Sequence, residues 1–210
     1  MKNVFEIKHP LIRHHLTALR DKDASSRKFR DIIHRLTRLI TYEATKDLVT
    51  EPKEVETPLA IAKGVTLNQR IGLIPILRAG LGMVDPVLDL IPTAEVWHLG
   101  FYRDENTLKP VEYYKKFPPG EAVDVGIVLD PMLATGGSSV AALGSLAHWG
   151  VKTMKLVAIL AAPEGIQKVH EEFPETQIYV CGIDDGLNEH AYIMPGLGDA
   201  GDRIFNAKTP

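Results

Sequence analysis

The spacing of apolar positions changes near residue 70. Before that point Phe29, Ile32, Ile33, Leu36, Leu39 and Ile40 recur at steps of three and four, the mark of one buried helical face. Ser25 or Ser26 stands where a side-chain oxygen can cap the first turn. Tyr42, Glu43 and Ala44 carry the pattern toward Leu48, so the N-terminal third reads as mainly helical. Beyond residue 70 the apolar residues gather into short runs at 71–77, 94–103, 123–130, 153–162 and 177–184, several rich in β-branched residues. Helix-like stretches at 81–90, 138–149 and 164–172 separate them. Strands alternating with crossover helices predict an α/β fold, with a central mostly parallel sheet flanked by helices. Ligands of such sheets bind beyond the carboxyl ends of the strands. The loops after Leu77, Arg103, Asp130, Ala162 and Asp184 are therefore the places to search.

Two stretches carry no clear period. Residues 104–122 hold three prolines, paired tyrosines and mixed charge, and read as a hairpin or flap that follows a strand. Residues 185–210 are rich in glycine, yet Tyr192, Ile193, Ile204 and Phe205 supply apolar anchors, so a structured loop region is expected there. No repeat or low-complexity linker divides the chain, and a single domain spanning 1–210 is expected, with an N-terminal helical arm over about 1–50.

Composition narrows the classes. With 210 residues the chain can bury a full core, and a formal charge of −3 offers no broad electrostatic surface for nucleic acid. One local basic cluster, Arg27, Lys28, Arg30, Arg35 and Arg38, reads as a solvated helix face; an anion or nucleotide effector site or a subunit contact is the functional alternative. The single cysteine, Cys181, excludes an internal disulfide and lies in a strand-like apolar run, as a buried structural thiol would. The N-terminal segment has no apolar leader core, and no apolar run reaches membrane-spanning length, so a cytoplasmic protein with no membrane partner is expected.

The chemistry is most legible at 130–138, D-P-M-L-A-T-G-G-S. An apolar run ends at an acid, a small glycine-rich turn follows, and a helix begins. Thr135, Gly136, Gly137, Ser138 and Ser139 lie where free backbone N–H groups point out of a helix N-terminus, an anion site by construction. A Walker loop needs a lysine that is absent here, and the dinucleotide fingerprint is absent too. Asp130 beside a phosphate is repulsive unless it binds something else, and sugar hydroxyls or a magnesium ion would satisfy it. A ribose 5-phosphate fits both halves of the loop.

This segment resembles the phosphoribosyl-diphosphate motif of type I phosphoribosyltransferases. The family's usual pair of acids is reduced to Asp130, with Leu129 in place of the first, and that departure resembles the uracil phosphoribosyltransferases. The likeness extends through PILRAGLGM (75–83), YRDE (102–105), AAPEGI (161–166), GLNEHAYIMPGLGDAGDRIF (186–205) and the block KHPLIRHHLTALRD near the start. It implies a pentosyltransferase of pyrimidine salvage that moves the phosphoribosyl group of 5-phosphoribosyl 1-diphosphate to uracil N1, giving UMP and diphosphate.

The resemblance also implies roles. Arg78 becomes the diphosphate-loop arginine, and Arg103, at the root of the flap (about 103–122), a second diphosphate contact. Asp130 would hold the ribose hydroxyls beside the developing positive charge, so catalysis would rest on Asp130, Arg78 and Arg103. Pro131, Met132, Leu133, Ala134, Thr135, Gly136, Gly137 and Ser138 complete the phosphoribosyl site, with Asp199 approaching it from a base-recognition hood over about 185–205. Uracil presents an acceptor, a donor and an acceptor along O2, N3–H and O4. Backbone groups at Ile193, Gly198 and Ala200, flanking Asp199, would read that edge. Mg2+ would be held mainly by the substrate and water, with no dedicated protein cage. GTP as an activator and a homodimer or larger homo-oligomer are further implications. His190 reads as a structural loop residue, Asp202 and Arg203 as a structural pair, and Asp199 alternatively as a turn former. A pyrimidine-sensing RNA-binding regulator and a purine-base transferase are the rival readings; the net charge disfavours the first and the 186–205 block the second.

Overall fold

Ile71–Pro75 and Val125–Leu129 are buried at every position, as strands inside a parallel sheet must be. The computed structural model describes residues 2–100 and 120–207, with the backbone alone for 101–103 and 110–115. In chain order the elements are β1 (Val4–Glu6), α1 (Pro10–Arg20), α2 (Ser26–Ala44), β2 (Thr50–Glu56), β3 (Ile61–Leu67) and β4 (Ile71–Pro75). A 3-10 turn (Ala79–Met83), α3 (Val84–Leu88), β5 (Glu95–Val96), β6 (Leu99–Arg103), β7 (Pro110–Lys115), β8 (Val125–Leu129) and β9 (Met132–Leu133) follow. The chain continues through α4 (Gly137–Trp149), β10 (Thr153–Ala161), α5 (Pro163–Glu172), β11 (Gln177–Ile183), β12 (Gly186–Leu187), β13 (Ile193–Met194) and α6 (Ala200–Phe205).

The central sheet runs β1-β11-β10-β8-β4-β5, with β9 also paired to β10, and every pairing among the described residues is parallel. Strand alternation sends Leu73, Val125, Ile127, Val157 and Tyr179 into one core with α1, α2, α3 and α6. Ile74, Val128, Leu156, Ala158 and Val180 go to the opposite core, under α4 and α5. The expected α/β architecture with helices on both faces is the one observed.

Helix α2 follows its sequence pattern closely. The Ser25 side chain accepts from the Lys28 N–H at 3.3 Å, and Phe29, Ile32, Ile33, Leu36 and Ile40 are buried. Its far end shows something no period predicts. Lys155 lies on β10 in the middle of the sheet, 1% exposed, and its Nζ donates to the Ala44 carbonyl at 2.7 Å while pairing with Asp47. A core lysine thus caps the helix terminus, where carbonyls lack intrahelical partners.

The N-terminal third is not mainly helical throughout. Residues 4–6 form an edge strand beside β11, too short to show a period. Residues 50–67 form the antiparallel hairpin β2–β3, whose strands are largely exposed on both sides and so lack the apolar alternation that marks a strand packed on a core. The run 94–103 splits: β5 joins β4, whereas β6 leaves the sheet and pairs antiparallel with β7. The flap expected at 104–122 therefore begins as a hairpin, and 104–109 and 116–119 lie outside the described residues. No helix among the described residues is long and apolar enough to cross a membrane.

Candidate active site

At the carboxyl edge of the sheet β8 gives way to Asp130. Its backbone N–H donates to Val157 at 3.2 Å, and its side chain accepts from the Met132 N–H at 3.3 Å. Pro131 then holds the chain to β10, its carbonyl accepting from Ile159 and Leu160 at 3.1 and 3.0 Å. The turn 134–136 is pressed against the start of α5. A Cβ on Gly165 would stand 2.3 Å from the Ala134 carbonyl oxygen, and one on Gly136, at φ +76°, would stand 2.8 Å from the Gly165 oxygen. Only glycines allow this double approach.

Helix α4 starts at Gly137 with Gly136 at its N-cap and no side-chain cap. Its first N–H groups therefore turn to the adjoining cavity, about 320 Å³, bounded by Asp130, Met132 and residues 134–139. Ala191 and Asp199 close its far side. The half-buried Asp130 carboxyl is pushed up to about 7 by burial, against a smaller pull from the Met132 N–H. A carboxylate so starved of counter-charge is poised to receive hydroxyl donors or a cation.

A second cavity, about 360 Å³, adjoins the first, sharing Met132, Ala134, Ala191 and Asp199 with it. His190, Tyr192, Ile193, Gly198 and Ala200 complete its wall. This is the region 185–205, folded as the small β12–β13 hairpin followed by α6. Asn188 pins the hairpin turn, its Oδ1 accepting from His190 and Tyr192 N–H at 3.0 and 2.9 Å. Glu164 on α5 accepts from the Leu187 N–H at 3.1 Å and ties the hairpin to the phosphate-loop side. Asp199 caps α6, accepting from the Asp202 N–H at 2.8 Å, so it forms a turn and also borders both cavities. Ala200 is the first helical residue, and its N–H has no partner among the described residues.

Arg78 follows β4 and reaches α6, its Nη2 standing 3.1 Å from Asp202 Oδ1. The chain after it bends so tightly that a Cβ on Gly80 would meet the Leu129 carbonyl oxygen at 2.4 Å. The diphosphate arginine proposed by the sequence is thus carried by a loop packed on the end of β8, beside Asp130. Arg203, expected beside Asp202, turns instead to the Leu197 and Asp21 carbonyls and lies over the Phe29 ring. Arg103 ends β6, and its side chain lies outside the described residues.

The profile of the uracil phosphoribosyltransferase family matches residues 6–207. The chain belongs to this family. It is 56% identical over 205 residues to the uracil phosphoribosyltransferase of Roseiflexus sp. (strain RS-1), covering 98% of this chain and 99% of that one. A solved protein structure from Aquifex aeolicus superposes with a TM-score of 0.92 at 39% identity, covering 99% and 100% of the two chains. The adenine phosphoribosyltransferase of Giardia lamblia, solved with 9-deazaadenine, shares the fold at a TM-score of 0.52 and 15% identity over 75% of this chain.

As a uracil phosphoribosyltransferase family member, the chain carries features that its motifs did not announce. Ala191 borders both cavities at φ +60°, a conformation that leaves no trace in an alanine's identity. The basic helix face is largely occupied within the chain: Arg30 donates to the Ile204 carbonyl at 2.7 Å, Arg38 pairs with Asp89 and Lys28 with Asp21. Cys181 is buried, its thiol pushed up to about 12 by burial, as an inert structural residue should be. His190 is well exposed, 3.4 Å from Glu189. A larger cavity, about 470 Å³, opens apart from these two, between β1, α1 and the end of β11.

Proposed function

We propose that the protein joins uracil to the phosphoribosyl group of 5-phosphoribosyl 1-diphosphate, forming the N1–C1′ bond of UMP as the C1′–O bond to diphosphate breaks. The observation that carries this reading is the union of an open helix N-terminus with a second cavity walled by the 190–200 backbone. The N–H groups of residues 137–139 receive the 5′-phosphate. Asp130 takes the ribose hydroxyls and faces the positive charge that grows on the ring as the bond to diphosphate loosens. Arg78 and Arg103 bind the departing diphosphate. Fixed charges of this kind act on the transition state without reorganising. Backbone groups of Ile193, Gly198 and Ala200 read O2, N3–H and O4 of the base, and a wrong base leaves a buried polar group unpaired at about 1–3 kcal/mol each.

Mg2+ fits this site as a companion of the substrate. No group of three or more metal-binding side chains occurs among the described residues, and Asp130 is a half-buried carboxyl lacking a counter-charge. Substrate oxygens and water would supply most ligands, and the ion would neutralise the diphosphate leaving group. A homo-oligomer is supported by the β2–β3 hairpin, which holds Leu59 97% exposed and Ile61 and Val65 each 69% exposed. GTP activation is carried only by the family resemblance, and the internal pairing of Arg30, Arg38 and Lys28 leaves Arg27 and Arg35 as its candidate contacts on α2. The test is UMP formation by purified protein with Mg2+, uracil and 5-phosphoribosyl 1-diphosphate. Product with hypoxanthine or guanine and none with uracil overturns the substrate.

A further inference from the structure

The 193–198 loop must hold its shape with almost no regular structure. β13 supplies two residues, after which Pro195, Gly196, Leu197 and Gly198 lead into α6. Arg203 holds its Leu197 carbonyl at 2.7 Å, and a second anchor lies outside both cavities. Asp184, directly after β11, is 8% exposed. It grips Arg20, the last residue of α1, in a forked pair: Nη2 to Oδ1 at 2.5 Å and Nη1 to Oδ2 at 2.7 Å. The same pair takes both backbone groups of Gly196. The Gly196 N–H donates to Asp184 Oδ2 at 2.9 Å, and Arg20 Nη1 donates to the Gly196 carbonyl at 2.8 Å. Gly196 sits at φ +61°, where a Cβ would stand 2.0 Å from the Ile193 carbonyl oxygen. Asp185 adds a backbone bond to Met194 at 2.9 Å. The end of α1 and the residue after β11 thus meet on one glycine.

We propose that Arg20 and Asp184 are positioning residues for base recognition. By seizing Gly196 they set Ile193 on one side, and Gly198 and Ala200 on the other, at the spacing that reads a pyrimidine edge. Neither side chain lines the phosphate or base cavity, so their action passes wholly through the loop. This inference rests on the reading of 192–200 as the base loop. A forked pair fixes direction as well as distance, which a single point charge does not. Loss of one partner strands the other as a poorly solvated charge and frees the loop.

The test compares Arg20→Ala, Arg20→Lys and Asp184→Asn with the parent enzyme. Steady-state kinetics in each substrate, calorimetric binding of 5-phosphoribosyl 1-diphosphate and thermal melting are measured. Arg20→Ala raises the uracil KM on the order of 10-fold or more, from misplacement of the reading groups. The KM and Kd for 5-phosphoribosyl 1-diphosphate stay within about twofold, because the phosphate loop is held by Gly165 and β10 instead. Arg20→Lys recovers part of the loss. Asp184→Asn keeps an acceptor for Gly196 and provides the milder variant should Arg20→Ala fail to fold. A parallel rise in both KM values, or no rise in folded variants, overturns the proposal. Ala200→Pro is the separate control: position N1 of a helix accepts proline, and Asp199 before it is already extended at φ −74°, ψ 115°. If Ala200→Pro leaves the uracil KM unchanged, the base-loop reading itself falls. If it raises that KM while the clamp variants do not, only the clamp proposal falls.

Discussion

Replacing Asp130 with asparagine should strengthen the fold while removing the activity, and the balance should depend on pH. Burial displaces the Asp130 carboxyl from an ordinary value of 3.8 to about 7. At about 1.4 kcal/mol per pH unit, the displacement corresponds to at most roughly 4–5 kcal/mol. Partial exposure of the side chain reduces this, and about 2 kcal/mol is the working expectation. The sign follows from linkage. The folded value is raised, so the protonated group favours the fold fully below 3.8, and that contribution is lost as pH rises through about 7. Asparagine has nearly the same shape, keeps an oxygen for the Met132 N–H and never ionises. Urea unfolding of the ligand-free protein at pH 5, 6, 7 and 8 should show the variant gaining on the parent with each step, the gap approaching about 2 kcal/mol at pH 8. Turnover should fall by two or more orders of magnitude, because the group facing the ribose charge is gone. In the parent, kcat/KM for 5-phosphoribosyl 1-diphosphate should lose activity below about pH 7 as the carboxylate protonates. A stability gap that does not change with pH, or turnover that survives the substitution, refutes the reasoning.

Gly165→Ala would place a Cβ 2.3 Å from the Ala134 carbonyl oxygen and should force that turn away, costing about 1–3 kcal/mol in melting experiments and raising the KM for 5-phosphoribosyl 1-diphosphate more than that for uracil. Lys155→Met should lose about 1–3 kcal/mol, because the Ala44 carbonyl is left without its donor. Burial pushes the Asp47 carboxyl up, but the hydrogen bond and charge of Lys155 outweigh it and hold the group low. The pair's contribution is therefore complete above 3.8 and fades as pH falls through the depressed value, so the melting gap between parent and variant should narrow only in acid. Leu59→Asp combined with Ile61→Asp should reduce the mass seen by light scattering to that of one chain, and an unchanged mass would remove the hairpin from the subunit contact.

What the sequence disclosed tracks how each segment meets the core. Strands buried on both faces, such as Val125–Leu129, appear as continuous apolar runs, and α2 shows its helical period because one face alone is buried. The turn before α4 was legible because an open helix start needs small residues in order: Gly136 for its φ, and Gly137, Ser138 and Ser139 for uncapped N–H groups. The hairpin at 50–67 was not, since most of its residues face solvent on both sides. β5 and β6 merged into one run because only Trp97 and His98 separate them, too few residues to mark a turn. Asp202 and Arg203 read as a structural pair, whereas Asp202 meets Arg78, 124 residues away. Backbone groups at Ile193, Gly198 and Ala200 leave no side-chain signature, and only the family resemblance pointed to them.

The two adjoining cavities show how the proposed phosphate and base loops, so distant in sequence, would form one site. Both lie at the carboxyl edge of a parallel sheet, where every strand delivers its following loop to the same side. β8 delivers Asp130 and the 134–139 turn, while β11 delivers Asp184 and the hood. Met132, Ala134, Ala191 and Asp199 border both cavities, so a sugar held over Asp130 would present its C1′ toward the wall proposed for the base. Among the ties that hold the hood back are Glu164 to Leu187, Arg78 to Asp202, and Arg20 with Asp184 to Gly196. Each tie starts on a different part of the fold, namely α5, the loop after β4, and the end of α1. A shift of any one of these elements would therefore move the wall proposed for the base relative to Asp130. Since a misplacement of about 1 Å can cost on the order of 100-fold in rate, that arrangement would make the proposed reaction depend on the whole sheet edge rather than on Asp130 alone.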